Sequence, residues 1–243
     1  MHVYKSNEFL SVGLLRFMKM YFFYGLMSSS KTAIALMKKF TFEEHGKRVL
    51  LAKPALDCRD GKTILKSRIG LEDEAITIKK DETFNEKVSD LKKYDVIITD
   101  ESQFFTIKQI EELRDLADKY CIVMCYGLKT DFMSYLFEGS KRLLELADCI
   151  REIPTPCGCG KKAILNLKVN NGKVVKKGEQ IELGGNEKYM PMCHACYFIS
   201  HLTFKPYSVH KFDILWLKNS LVLFFMGISP FESIKIFNKG LSL

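Results

Sequence analysis

The feature that most constrains this chain is an aromatic run that stops at a glycine and gives way to serines, a lysine and a threonine. Met20-Tyr-Phe-Phe-Tyr24 reads as a strand ending at Gly25, and a helix is expected over about 31–45, with Gly46 as its stop. Between them stands Gly25-Leu-Met-Ser-Ser-Ser-Lys31-Thr32. This follows the phosphate-loop pattern G-x-x-x-x-G-K-[ST] except at one fixed position, where Ser30 replaces the second glycine. Such a loop needs backbone N–H groups aimed at phosphate oxygens and a helix N-terminus behind them. It also needs a lysine for the β- and γ-phosphates and a hydroxyl for Mg²⁺. Serine is the smallest step up from glycine, and it is expected to fit if φ at position 30 is negative. A serine-rich N-cap before an ordinary helix reads the same way locally, so the loop needs a partner elsewhere.

Val96-Ile-Ile-Thr-Asp100-Glu101 supplies that partner. It is an apolar run, expected to be a buried strand, that ends in two acids. In phosphate-loop proteins an Asp at this place holds Mg²⁺. A following Glu can take a proton from the attacking nucleophile. Acids at a strand end are common, but the two motifs in order point to nucleotide binding.

Residues 49–52, 121–125 and 149–153 read as further strands, and 83–93, 107–119 and 138–147 as helices. Residues 62–80 are ambiguous, with short strands the best reading. Strands that alternate with helices imply an α/β fold: a parallel phosphate-loop sheet flanked by helices. No proline occurs between Pro54 and Pro154, after which Pro154 and Pro156 punctuate the chain and paired cysteines begin. The expected layout is an N-terminal extension (1–19), a nucleotide-binding α/β domain (20–153), a small zinc-ribbon lobe (154–198) and a tail of unassigned role (199–243).

Cys157-Gly-Cys159 and Cys193-His-Ala-Cys196 form two knuckles beside turn-forming residues. Four thiolates satisfy tetrahedral zinc and leave no open position, so the site reads as structural. His194 lies inside the second knuckle, but Cys196 is the better fourth ligand. The scattered Cys58, Cys121, Cys125 and Cys149 read as core residues. Eight cysteines could also build disulfides in a secreted chain. No leader is convincing, because the apolar stretch 9–27 is broken by Arg16 and Lys19, so a reducing cytoplasm is expected.

The net charge of +8 invites a nucleic-acid reading, and its distribution argues against one. Lys5, Arg16 and Lys19 against Glu8 sit before the body; Lys205, Lys211, Lys218, Lys235 and Lys239 against Asp213 and Glu232 sit after it. Residues 20–198 keep only +3. A hydrophobic content of 47% excludes a mostly disordered chain. The most apolar run, 221–231, is too short to span a membrane.

Several segments in order resemble one family, the zinc-containing type II thymidine kinases, over about 20–198. They are the Gly25–Thr32 loop with its Met27, Asp57-Cys-Arg59, Ser67-Arg-Ile-Gly-Leu71, Asp100-Glu-Ser-Gln-Phe-Phe105, Tyr126-Gly-Leu-Lys-Thr-Asp-Phe132 and Gly184-Gly-Asn-Glu-Lys-Tyr189. The resemblance implies transfer of a phosphoryl group from ATP to the 5′-hydroxyl of thymidine, with Mg²⁺ and a structural Zn²⁺. It also implies a homotetramer. By the same resemblance Gly25, Met27, Ser28, Ser29, Ser30, Lys31, Thr32 and Asp100 hold the nucleotide and its cation, with Gln103 supporting the end of that strand. Glu101 is implied as general base, and Arg59 as the group that stabilises charge on the transferring phosphoryl. Asp57, Phe104, Leu128, Phe132 and Tyr189 are implied at the nucleoside, Tyr189 from a lasso loop that closes over it. Cys157, Cys159, Cys193 and Cys196 are implied as the metal ligands.

Two other readings stay open at this level. A nucleic-acid-dependent ATPase would need a second nucleotide-sandwiching domain, for which the residues after the cysteine lobe leave too little chain. A nucleotide-binding regulator could use Lys161, Lys162 and Lys168 on a zinc ribbon, although a solvated face is the plainer account of those lysines. Neither nucleic acid nor a membrane is an expected partner.

Overall fold

The computed structural model describes residues 19–57, 61, 63–181 and 188–203. Arg59, the Gly184-Gly185 pair and most of both extensions lie outside the described residues. Six strands form one sheet: β1 (Met20–Gly25), β2 (Val49–Pro54), β5 (Ile76–Ile78), β6 (Val96–Thr99), β7 (Ile122–Gly127) and β8 (Cys149–Ile153). Their order is β5-β2-β6-β7-β1-β8, and every neighbouring pair is parallel. A two-stranded antiparallel ribbon, β3 (Ile64–Lys66) with β4 (Glu72–Glu74), lies between β2 and β5 in the sequence.

The period-two pleat sorts the sheet's side chains into two cores. On one face Leu50, Ala52, Ile97, Val123 and Cys125 meet Ile110, Leu113, Leu116 and Ala117 of helix α3 (Ile107–Lys119) and Leu143 of helix α4 (Glu138–Leu146). The alternate residues Leu51, Val96, Ile98, Met124 and Tyr126 meet Ala35 and Leu36 of helix α1 (Lys31–Glu44). Both faces are covered, which is why β6 and β7 read as unbroken apolar runs. Helix α3 opens on a capping box between Thr106 and Gln109. Ile107, in the first turn, is 43% exposed, while Ile110, Leu113, Leu116 and Ala117 are buried.

The helix expected over 83–93 is broken. Only α2 (Phe84–Lys87) is helical, under a Thr83–Glu86 capping box, and Val88 turns extended at φ −121°. Asp90 then caps a single 3₁₀ turn, Leu91–Lys93. β-branched Val88 followed by Ser89 lowers helix propensity, and Asp90 offers the backbone a competing cap.

Beyond Ile153 a separate three-stranded sheet forms in the order β10 (Lys173–Val174), β9 (Leu165–Asn170), β11 (Tyr189–Met192), all antiparallel. Asn171 and Gly172 join β9 to β10 with φ of 48° and 71°, the turn that Asn-Gly favours. Helix α5 (His194–Thr203) follows, running past residue 198. Leu167, Val174, Met192 and the buried cysteines make this lobe's own small core.

Leu113 is fully buried between α3 and the sheet. Leu113→Ala is expected to lower unfolding free energy by about 2–5 kcal/mol in urea titration, as cavity-forming core changes do.

Candidate active site

Three adjacent strands deliver their carboxyl ends to one place: β1 ends at Gly25, β6 at Thr99 and β7 at Gly127. That edge is where ligands bind in open parallel sheets. Gly25 cannot be enlarged, because a Cβ there would lie 2.9 Å from the Ile153 carbonyl oxygen and closer still to the Ser29 hydroxyl. The loop then runs through two left-handed serines, Ser28 at φ 63° and Ser30 at φ 62°. The condition under which a serine would fit there without strain, a negative φ, is therefore not met. Ser30 keeps the backbone angle for which glycine is the usual residue, at a cost of about 1–2 kcal/mol for an L side chain.

The Lys31 ammonium donates to the Gly25 carbonyl at 3.2 Å, the Leu26 carbonyl at 2.7 Å and the Ser29 hydroxyl at 3.3 Å. It is buried in the middle of the loop. The Thr32 hydroxyl donates to Asp100 Oδ2 at 2.6 Å, tying α1 to the end of β6. Asp100 is 1% exposed, and its other oxygen, Oδ1, has no hydrogen-bond partner. Burial, and then the charge of Glu101, push the Asp100 carboxyl up to about 6, against the opposing Thr32 hydrogen bond and Lys31 charge. A buried carboxylate with one oxygen unpaired beside a threonine hydroxyl suits a hard divalent cation.

Glu101 adopts φ 50°, ψ 36°, so the chain turns sharply after Asp100 and presents the second acid to a cavity that the phosphate loop also lines. The Gln103 amide nitrogen donates to Glu101 Oε2 at 2.5 Å. Its oxygen accepts from the Leu128 backbone at 2.9 Å. Gln103 thus ties Glu101 to the backbone after β7 through the two ends of one amide. This packing needs Gly127, where a Cβ would stand 2.7 Å from Gln103 Oε1.

A cavity of about 460 Å³ is lined by loop residues 27–33, Glu101 and residues 66–70. The Arg68 guanidinium crosses it to donate to the Ser28 hydroxyl at 3.0 Å. Arg68 belongs to the family-like segment 67–71, and nothing in its sequence context signals its place against the phosphate loop. Asp57 is buried 3.8 Å from the ammonium of Lys53, which also donates to the Gly61 and Ile64 carbonyls at 2.9 and 2.8 Å. Lys53 therefore links Asp57 to Gly61 and Ile64.

On the opposite side Phe104 meets Phe137 edge-on, with ring centroids 5.7 Å apart. Phe132 is buried under the Lys168 ammonium, 4.6 Å from its ring centroid, and Tyr189 stands 6.0 Å from the same ammonium. Lys168 is 5% exposed, so the solvated-face account of it is wrong, and it is lost to any external nucleic-acid surface. Lys161 and Lys162 remain exposed. Another residue without a sequence signal is Asn166, whose side-chain oxygen accepts from the Met27 backbone at 3.1 Å.

The four Sγ atoms of Cys157, Cys159, Cys193 and Cys196 lie within 4.8 Å of one another. Cys159 and Cys193 are 3.6 Å apart. Ligands about 2.3 Å from a tetrahedral zinc stand about 3.8 Å from each other, so the set fits one ion. Among the described residues no helix is long and apolar enough to cross a membrane.

Residues 18–197 match the family model of thymidine kinase. The chain belongs to the thymidine kinase family. A thymidine kinase from Streptococcus pyogenes serotype M3 is 46% identical over 184 residues, which span 74% of this chain and 97% of that protein. One from Streptococcus agalactiae serotype Ia is 45% identical over the same spans. Among solved structures, a Pif1 helicase from Candida albicans aligns at 11% identity, covering 63% of this chain and 40% of that one, with a TM-score of 0.36.

Two outcomes are expected from this geometry. Ser30→Gly relieves the left-handed strain, and should leave unfolding free energy unchanged or raise it by up to about 1 kcal/mol, read by urea titration. Elemental analysis of protein purified without added metal should find one zinc per chain. Cys193→Ser should lose it and expose 154–203 to limited proteolysis, since metal binding of this kind is folding free energy.

Proposed function

We propose that this chain transfers the γ-phosphoryl group of ATP to the 5′-hydroxyl of thymidine, giving ADP and thymidine monophosphate. The observation that carries the reading is the Glu101 carboxylate. It is buried, held by Gln103 and turned into the cavity that the phosphate loop lines. A carboxylate so placed can take the hydroxyl proton as the sugar oxygen attacks the γ-phosphorus and ADP departs.

The loop's first-turn N–H groups and the Lys31 ammonium supply positive potential at the phosphates. Asp100 and Thr32 would hold Mg²⁺, which when bound neutralises phosphate charge. The support for this is the unpaired Asp100 Oδ1 and the adjoining threonine hydroxyl. Arg59, by family resemblance, and Arg68, by its place in the cavity, are the guanidinium groups available to the transferring phosphoryl. Phe104, Leu128 and Phe132 fit a flat pyrimidine, Asp57 orients groups near the sugar, and Tyr189 closes from the zinc lobe. The zinc is structural and anchors the base of the lasso.

The expected homotetramer is supported by Met37 and Phe40, which leave one face of α1 apolar and exposed. A reducing cytoplasm suits the thiols that remain free among the described residues.

Glu101→Gln is expected to cut kcat for thymidine phosphorylation by about a hundredfold to ten-thousandfold while ATP binding stays near wild type. A steady-state assay with labelled thymidine, paired with an ATP-binding titration, checks both. A variant within about threefold of wild type in kcat would remove Glu101 from the chemistry.

A further inference from the structure

The cysteine lobe does more than carry a lasso. Strand β9 alternates Leu165, Leu167 and Val169 with Asn166, Lys168 and Asn170. Leu167 and Val169 face the lobe's own core. Asn166 and Lys168, on the other face, are 2% and 5% exposed, yet neither belongs to that core. They are buried against the larger domain. Lys168 lies over Phe132, from the segment after β7. Asn166 reaches the phosphate loop and accepts from the Met27 N–H. A backbone N–H can only donate, so the atom facing it is the side-chain oxygen.

A second contact joins the same two parts. Leu26, next to Met27 in the loop, packs against the lobe's core of Cys157, Leu167, Met192 and Cys196. The two residues after Gly25 are thus anchored outside the phosphate-loop domain, one by apolar contact and one by a hydrogen bond. The two that follow within the next three positions, Ser28 and Ser30, are left-handed without being glycine. Strained backbone of this kind persists only where its surroundings over-determine it. The anchor sits immediately upstream of the strain.

From this we infer that Asn166 is a positioning residue for the ATP site: its side chain holds the phosphate loop in its strained, nucleotide-ready shape. The route from the metal is short. Asn166 pairs across β9–β11 with Pro191, and the next pair brings in Met192, the neighbour of Cys193. A zinc that fixes Cys193 therefore fixes the strand beside Asn166, and through it the loop. The inference rests on the kinase reading for its kinetic test but not for its binding test.

The test is a two-by-two set in the full-length protein: Asn166→Leu, which keeps the volume and removes the acceptor, made in wild type and in Ser30→Gly. Affinity is read by equilibrium titration with a fluorescent ATP analogue, KM values by thymidine phosphorylation, and zinc by elemental analysis. Losing the acceptor for a buried donor should weaken ATP about tenfold and leave the thymidine KM within about twofold, with zinc unchanged. In the Ser30→Gly background, where the loop no longer needs holding, the loss should shrink to about threefold or less. A merely structural asparagine gives the same loss in both backgrounds, and that result overturns the inference. So does unchanged ATP affinity, or a loss confined to thymidine. If Asn166→Leu does not fold, Asn166→Ala replaces it, and zinc loss in both variants likewise overturns the positioning role. A wild type that binds ATP but does not phosphorylate thymidine would overturn the kinase reading, while the titration would still decide this one.

Discussion

The hydrogen bond from Thr32 to Asp100 is the contact around which the site is organised. It joins the first turn of α1 to the end of β6, two elements far apart in sequence, and its acceptor is a buried carboxylate. A carboxylate in that position is costly unless something uses its charge. Here one oxygen takes the threonine hydroxyl and the other has no hydrogen-bond partner. The Lys31 ammonium, drawn into the loop by its own carbonyls, supplies the nearest compensating charge. Glu101 then has to sit beside an acid already short of solvent. The chain achieves this with a left-handed turn and a glutamine that fixes the second carboxylate away from the first.

Much of the fold was legible because the pleat and the helical period are written in apolar residues. β6 and β7 read as buried strands since both faces of the sheet are covered, and the helix expected over 107–119 is α3. Segment 83–93 was misread because its breaks come from single residues, Val88 and Asp90, that compete locally with a helix. The loop, the Asp-Glu pair and the cysteine quartet stood out because each needs particular residue types at fixed spacing. The sign of φ at Ser30 did not, because composition says nothing about which strain a fold will hold. Lys168 looked like surface and Asn166 like nothing at all. One polar residue on a strand becomes meaningful only when the other domain is packed against it.

The two parts of the molecule owe their order to different physics. The larger one buries helices against both faces of a sheet and draws on apolar area. The smaller has three short strands, a handful of apolar side chains and four thiols, too little core to stand on its own without a metal. The cavity under the phosphate loop is lined by the first part alone, while the second sets Lys168 over Phe132 and Tyr189 near the same ammonium.

Strand order carries a consequence for how the chain is made. Among the described residues β1 comes before the other strands of the sheet, and it is the most aromatic of them. Its two neighbours are β7 and β8: Met20 pairs with Val123, and Tyr21 with Cys149. On the ribosome this strand has no sheet to join until most of the larger domain has emerged. Until then it is an unpaired aromatic ribbon with both edges open, the kind of segment that sticks to its own copies. Such non-local pairing is slow to form. The same topology that places Gly25 beside the ends of β6 and β7 therefore leaves β1 without its partners until residues 122–153 have been made.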